Sequence, residues 1–405
     1  MSKAMGLLPS WYWPEGVQRY LAAPQVPIYD LTLGRWARRY GDDVALIVGD
    51  SPTTFRQLDD AAARVAAACV AEMATPEPRI ALAVRDPMAF APLLLGALRA
   101  DCTLLLLDPQ SPTDDQAATL TLFRAGTLIT DAAPDAGEAA GVPVRAPQAF
   151  LGTTATPGPL PRPDPDRPAI ALTGDGGIVY HSHVSAMSAA VAFAAFSLLR
   201  LEDRMVVARP WSSWEGLIGL LAPLQAGGAA ALPRSTSVDD VTETVSRTQA
   251  TILWIDERTA LGLLEGGRDL TEAIRAHCHA AYVSVQRPFP KRLRRQLRRQ
   301  LRVPVLTVYG YPAVGAIAAS HPSWYLDDAV GIPMVGVDLL PVEPETRRPV
   351  EIPWEALSYA GIGVSGRSLA VDIVGGAGRA GLTEGLYYTE DVGSVDPNGM
   401  LYLLP

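Results

Sequence analysis

A chain of 405 residues with 48% hydrophobic content is long enough to bury more than one core, so a multi-part α/β protein is expected. Its net charge of −9 argues against nucleic acid or an anionic membrane surface as the main partner. Three cysteines, Cys69, Cys102 and Cys278, are too few and too scattered for a disulfide framework and suit a reducing cytoplasm.

The opening stretch, Met1 to Pro9, holds too short an apolar run for a signal peptide. No apolar run reaches roughly 18 residues, so no membrane span is expected. The nearest candidate, Ala189 to Leu199, reads as a buried helix. Downstream of the start, Thr53-Thr54-Phe55-Arg56-Gln57-Leu58 leads into a helix, and Arg79 to Val84 reads as a buried strand. A helix over Met88 to Leu98 and a strand from Thr103 to Leu107, before Asp108-Pro109, complete a βαβ unit. Gly152 to Pro168 is proline-rich, holds neither helix nor central strand, and reads as a linker. Pro168 to Thr173 is a further strand, and His183 to Leu199 a long alanine-rich helix.

Two tryptophans fall within four residues in Pro210-Trp211-Ser212-Ser213-Trp214-Glu215-Gly216-Leu217. The neighbours His277-Cys278-His279 invite a metal reading, but adjacent residues rarely converge on one ion. Lys291 to Arg302 has a leucine at every fourth position, which predicts a helix with a narrow apolar stripe and a basic, solvated face. A third region opens at Gly331-Ile332-Pro333 and carries short β-like runs. Among them are Leu369 to Val374 and Gly399 to Leu403, with the glycine-rich Gly375 to Gly381 between. The predicted division is 1–165, 166–330 and 331–405. No nucleophile–histidine–acid set for hydrolysis stands out.

The run Tyr387-Tyr388-Thr389-Glu390-Asp391-Val392-Gly393, continuing to Leu403, resembles the Y-x-T-G-D-x-G-x-x-D-x-D-G-x-L motif of the adenylate-forming (ANL) enzymes. These are the acyl-CoA ligases and the adenylation domains of peptide synthetases. The resemblance implies two αβα subdomains with mixed, largely parallel sheets and a small C-terminal β-barrel subdomain. Beyond Leu404-Pro405 the family continues through a hinge into a domain of roughly 100 residues, a typical domain size. That domain is therefore expected to be absent here.

Residue by residue, the resemblance assigns Asp391 to the ribose hydroxyls. The family's phosphate loop, T-S-G-T-T-G-x-P-K-G-V-x-x-S-H, falls on Thr173-Gly174-Asp175-Gly176-Gly177 and ends in Ser182-His183. Here it is shortened by about four or five residues, lacks the hydroxyl pair and the lysine, and carries Asp175 where a polyphosphate would sit. Removing three or four charge-assisted donors, each worth about 1.5–3 kcal/mol, should weaken pyrophosphate handling by orders of magnitude. Gly152 to Gly158 is hydroxyl-rich but precedes the strand, so it reads as linker.

The Y-G-x-T-E motif falls on Tyr309-Gly310-Tyr311-Pro312-Ala313, where a methyl group replaces the carboxylate that holds Mg²⁺. Mg²⁺ is accordingly not expected to be bound. The adenine loop S-G-G-A-P-L-P falls on Ser284-Val285-Gln286-Arg287-Pro288-Phe289-Pro290, whose glycines have become larger residues. Nucleotide contacts are then expected from Ser284, Val285, Gln286, Arg287, Tyr309, Gly310 and Tyr311. The acyl site is expected at Trp211, Ser213, Trp214, Gly310 and Tyr311, with Trp214 facing a bulky acyl group. The basic helix offers a contact with the CoA 3′-phosphate.

The implied activity is an acyl-CoA ligase that has lost its adenylating half-reaction. It would take a preformed acyl-adenylate from a separate ligase and pass the acyl group to CoA or a carrier-protein thiol, in natural-product or lipid metabolism. The alternatives are an inactive adenylation-fold scaffold and a full ligase with a rebuilt ATP loop.

Overall fold

The computed structural model describes residues 12–21, 23–72, 78–154, 159–174, 176–265, 268–375 and 381–404. Met1 to Pro9, Ala155 to Gly158, Asp175 and Gly376 to Ala380 lie outside them.

Continuous apolar runs build two parallel-rich sheets, as strands buried on both faces require. The first has seven strands, in the order Asp372–Val374, Gly177–Ser182, Pro168–Gly174, Thr103–Leu106, Arg79–Ala83, Thr127–Thr130, Val144–Arg145. Its last five strands are parallel, and Gly177–Ser182 and Asp372–Val374 are added antiparallel. The second sheet has nine strands, in the order Ile332–Pro333, Gly315–Ala319, Val305–Tyr311, Ala280–Val285, Ile252–Asp256, Arg204–Val207, Ala229–Leu232, Val44–Val48, Ser51–Thr54. One core of buried residues runs between the two sheets, from Leu82 and Leu104 to Val206 and Leu253.

Local chemistry sets the helices that cross between strands. Pro87–Arg99 begins with proline in its first turn, and the Asp86 carboxylate accepts from Met88 N at 2.9 Å. His183–Phe196 opens on a capping box made by Ser182 and Ser185. Trp214–Ala226 is capped by Ser213 and ends on Gly227 at φ +85°, a left-handed position suited to glycine. His183–Phe196 and Trp214–Ala226 pack against each other, buried along most of their length. Among the described residues no helix is long and apolar enough to cross a membrane.

Pairing partners depart from the sequence division in three places. Pro168–Gly174 follows the proline-rich segment yet returns to the first sheet beside Thr103–Leu106, so the segment does not separate the sheets. Asp372–Val374, shorter than the expected Leu369 to Val374, also joins the first sheet, and Ile332–Pro333 belongs to the second. The remaining C-terminal strands form an antiparallel sheet where the small barrel was expected. Its order is Val337–Val342, Ala360–Gly366, Leu386–Val395, Gly381–Thr383, with Leu401–Leu403 also paired to Leu386–Val395.

Candidate active site

Open α/β sheets bind ligands outside the carboxyl ends of their strands. In the second sheet those ends are Asp256, Ser284-Val285 and Tyr309 to Tyr311, on neighbouring parallel strands. A cleft of about 460 Å³ lies against them, bounded by Arg209, Trp214, Asp256, Ser284, Arg287 and Gly310. Segments from two of the expected sites, the adenine loop and the acyl wall, thus meet in one cavity.

On the acyl side, Trp214 is nearly buried and packs edge-to-face on Trp254, with ring centroids 5.7 Å apart. A Cβ added at Gly310 would lie 2.9 Å from the Trp214 ring and 2.1 Å from the Gly315 carbonyl oxygen, so only glycine fits there. Trp254 donates its indole N–H to Ser284 Oγ at 2.9 Å. Ser213 and Trp211 are not among the residues that border this cleft. Ser213 Oγ donates to the Pro210 carbonyl (2.8 Å) and accepts from Gly216 N (3.1 Å), which makes it a helix cap. Trp211 stacks on Phe90, at 6.0 Å between centroids. Gln286 and Arg287 are exposed at the cleft's outer edge, where Arg287 faces Glu257 at 3.8 Å.

The Asp391 carboxylate is held by two phenols. Tyr309 and Tyr311 donate to the same oxygen, Oδ2, at 2.7 and 2.8 Å, and Asp391 N donates to Thr389 Oγ1 at 3.2 Å. Burial, followed by the Asp391 charge, pushes the Tyr309 phenol well above its ordinary range, so it remains a donor. Tyr309 is fully buried and its hydroxyl is directed at Asp391.

The phosphate corner is built differently. Pro168–Gly174 turns back through Gly176, at φ +76°, directly into Gly177–Ser182, with Gly174 paired to Gly177. A strand, Gly177–Ser182, therefore stands between Gly176 and the helix. A Cβ at Gly174 would meet the Pro312 ring at 2.4 Å. The buried His181 ring donates Nε2–H to the Pro312 carbonyl at 2.7 Å, and its Nδ1 accepts from Ser185 Oγ at 3.1 Å. Burial lowers the His181 pKa and keeps the ring neutral. The two segments read as degenerate, Thr173 to Gly177 and Pro312-Ala313, are thus in contact. Ala313 is fully buried, has no side-chain oxygen to offer a cation, and its carbonyl accepts from Ala370 N at 2.7 Å.

A profile described as AMP-binding enzyme matches residues 33–366. The chain belongs to the AMP-binding enzyme family. Solved structures with the same fold include the unliganded O-succinylbenzoate CoA synthetase of Bacillus subtilis. It is 21% identical with a TM-score of 0.81, over 93% of this chain and 82% of that one. A benzoate CoA ligase from Burkholderia xenovorans is 18% identical with a TM-score of 0.83, over 93% and 79%. ATP-bound MatB from Rhodopseudomonas palustris is 18% identical with a TM-score of 0.81, over 92% and 78%. At these identities the likeness is one of fold. No curated protein matches the sequence.

Two features of this AMP-binding-family chain escape sequence reasoning. Arg209 bridges Asp256 Oδ2 (2.9 Å) and Glu215 Oε1 (3.0 Å) beside the cleft, joining residues 47 positions apart. The basic helix, Lys291–Leu301, is not simply solvated on its polar face. Arg294 is fully buried and donates to the carbonyls of Val305, Leu326 and Ala329 and to Ser320 Oγ. Arg295 and Arg298 pair with Asp327, and Lys291 with Asp328. The helix tethers the 326–329 segment. Cys278 is buried with Sγ 3.1 Å from the Ala250 carbonyl, a packing role within His277-Cys278-His279.

Proposed function

We propose that this chain binds a preformed acyl-adenylate in the cleft at Trp214, Gly310 and Ser284, with Asp391 toward the ribose, and works in the thioester-forming half of an acyl-CoA ligase reaction. The observation that carries the reading is the contact of Pro312 with Gly174. A proline ring occupies the face on which a phosphate loop would need free backbone. The adjoining Ala313 supplies no side-chain metal ligand. An acyl-adenylate needs neither feature, because its mixed anhydride is already activated and carries a single phosphate charge.

Thioester formation then requires positioning above all. The thiol sulfur of CoA or of a carrier protein attacks the acyl carbonyl carbon, the bond from that carbon to the AMP phosphate oxygen breaks, and AMP leaves with the electron pair. The thiol proton passes to solvent. Neither Mg²⁺ nor pyrophosphate enters this half-reaction, and a separate adenylating enzyme must supply the substrate.

The second reading, a full ligase with a rebuilt ATP site, draws on the family itself, since the O-succinylbenzoate CoA synthetase was solved both with ATP and magnesium and with its acyl-adenylate. Titration calorimetry separates the two. A non-hydrolysable acyl-sulfamoyl-adenosine carrying a bulky acyl group should bind tightly, while ATP with Mg²⁺ should give no heat. Tight ATP binding with ATP–pyrophosphate exchange would establish the full ligase instead. Failure of both ligands to bind would leave an adenylation-fold scaffold.

A further inference from the structure

The wall of the cleft carries a charge that the proposed reaction does not use. Glu215, in the first turn of Trp214–Ala226, has a side chain only 5% exposed. Its partner Arg209 spends one guanidinium nitrogen on Glu215 and another on Asp256, so one cation serves two carboxylates. The trio sums to a formal charge of −1. The Thr259 N–H donates to Asp256 Oδ1 at 2.7 Å, which satisfies that oxygen without changing the sum. Arg209 Nε is buried with no partner among the described residues, but it belongs to the cation already counted.

The remaining charged residues of the lining have the opposite balance: Arg258 and Arg287 are exposed, the latter facing Glu257, so these three sum to +1. The lining thus divides into a negative trio that includes the buried Glu215 and a positive trio that carries two exposed arginines.

A ligand that fills the cleft displaces the water that solvates the negative trio. A neutral aryl or alkyl group would leave the surplus carboxylate charge desolvated and uncompensated. A cationic donor would complete the trio to neutrality, form a charge-assisted hydrogen bond, and gain from the aromatic face nearby. The positive trio suits the phosphate of an adenylate.

We infer that the acyl group selected by this cleft carries a protonated amine at the end away from its activated carboxyl, with Glu215 and Asp256 as the residues that select it. The inference rests on the acyl-adenylate reading of the cleft.

Two acyl-sulfamoyl-adenosine probes of matched size test it, one para-aminomethylbenzoyl and one para-ethylbenzoyl, titrated into the full chain by calorimetry. The amine should bind at least about tenfold more tightly. That ratio should collapse toward one in Glu215→Gln and fall in Asp256→Asn, which provides a second variant should the buried Glu215→Gln fail to fold. Equal or tighter binding of the ethyl probe overturns the inference while leaving the adenylate reading intact. An amine preference that survives both substitutions overturns the assignment to these residues. Binding of neither probe overturns the adenylate reading, and the inference with it.

Discussion

Two corners of the candidate active-site region are built in opposite ways. At the phosphate corner, apolar packing has closed the space: the Pro312 ring lies on Gly174, His181 is buried and neutral, and Ala313 is sealed from solvent. At the acyl corner the space is open and polar, with a cleft of about 460 Å³ and an arginine-bridged carboxylate pair beside Trp214. Tyr309 to Tyr311 span both, because the strand that gives its phenols to Asp391 runs directly into Pro312. One strand therefore leads from the residues that hold Asp391 into the buried corner.

The contrast is tested most severely at Trp214. Truncation of a buried tryptophan costs about 3–5 kcal/mol, and Trp214→Ala should fall at the low end because one side of the ring adjoins a cleft able to take up the vacated space. Thermal unfolding should show the loss. In calorimetry the variant should shift its order of preference toward acyl-sulfamoyl-adenosines larger than the one the parent binds best. An unchanged order would remove Trp214 from the acyl wall.

Asp391 comes next. Asp391→Ala removes the acceptor that Tyr309 and Tyr311 share, at about 1–3 kcal/mol for the fully buried Tyr309 phenol. It should also abolish measurable adenylate-mimic binding. Asp391→Asn retains a carbonyl oxygen for the phenols and should restore most of the stability but little of the affinity. Equal losses of both in the asparagine variant would make Asp391 a packing residue only.

Much of this arrangement is legible in the sequence where the signal is local. Arg79 to Val84, Thr103 to Leu107 and Pro168 to Thr173 are apolar runs whose strand character needs no partner to be seen, and the Asp391 motif fixes a register for the rest. The Ser213 cap was also within reach, as a serine immediately before an apolar helical run. What fails is whatever depends on distant pairing. The return of Pro168–Gly174 to the first sheet is decided by Thr103–Leu106, more than 60 residues earlier, and the burial of Arg294 by carbonyls at Leu326 and Ala329. Arg209, Glu215 and Asp256 are unremarkable as letters and become a site only when two strand ends and a helix start converge.

The closed corner should also be acid-sensitive. Burial lowers the His183 pKa from 6.5 to about 4, against a smaller opposing effect of Asp164, and its Nδ1 accepts from Ile28 N at 3.2 Å, which the protonated ring cannot do. With the folded pKa below the unfolded one, the unfolded chain binds more protons between these values. The contribution is complete above about pH 6.5 and is lost as pH falls toward 4, amounting to about 2 kcal/mol by pH 5 for this one histidine. His181 and His321, both lowered by burial, act in the same direction. Melting temperature should fall from pH 7 to pH 5, and His183→Asn, which keeps an acceptor for Ile28 N, should flatten part of that slope.

The smallest expected effect is the most telling. Pro312→Thr with Ala313→Glu rewrites the strand's continuation as the family's own Tyr-Gly-x-Thr-Glu. It removes the ring from the Gly174 face and returns a carboxylate to the metal position. If the phosphate corner has been lost only at these two residues, ATP–pyrophosphate exchange should appear. The hairpin argues that it will not, because Gly174 pairs directly with Gly177 and the turn is too short to present a row of backbone N–H groups around a polyphosphate. Exchange should stay at background and adenylate-mimic affinity within about threefold of the parent, a difference below 1 kcal/mol. Exchange above background would mean that the hairpin is no obstacle, and that the difference between the two corners is two substitutions deep rather than built into the fold.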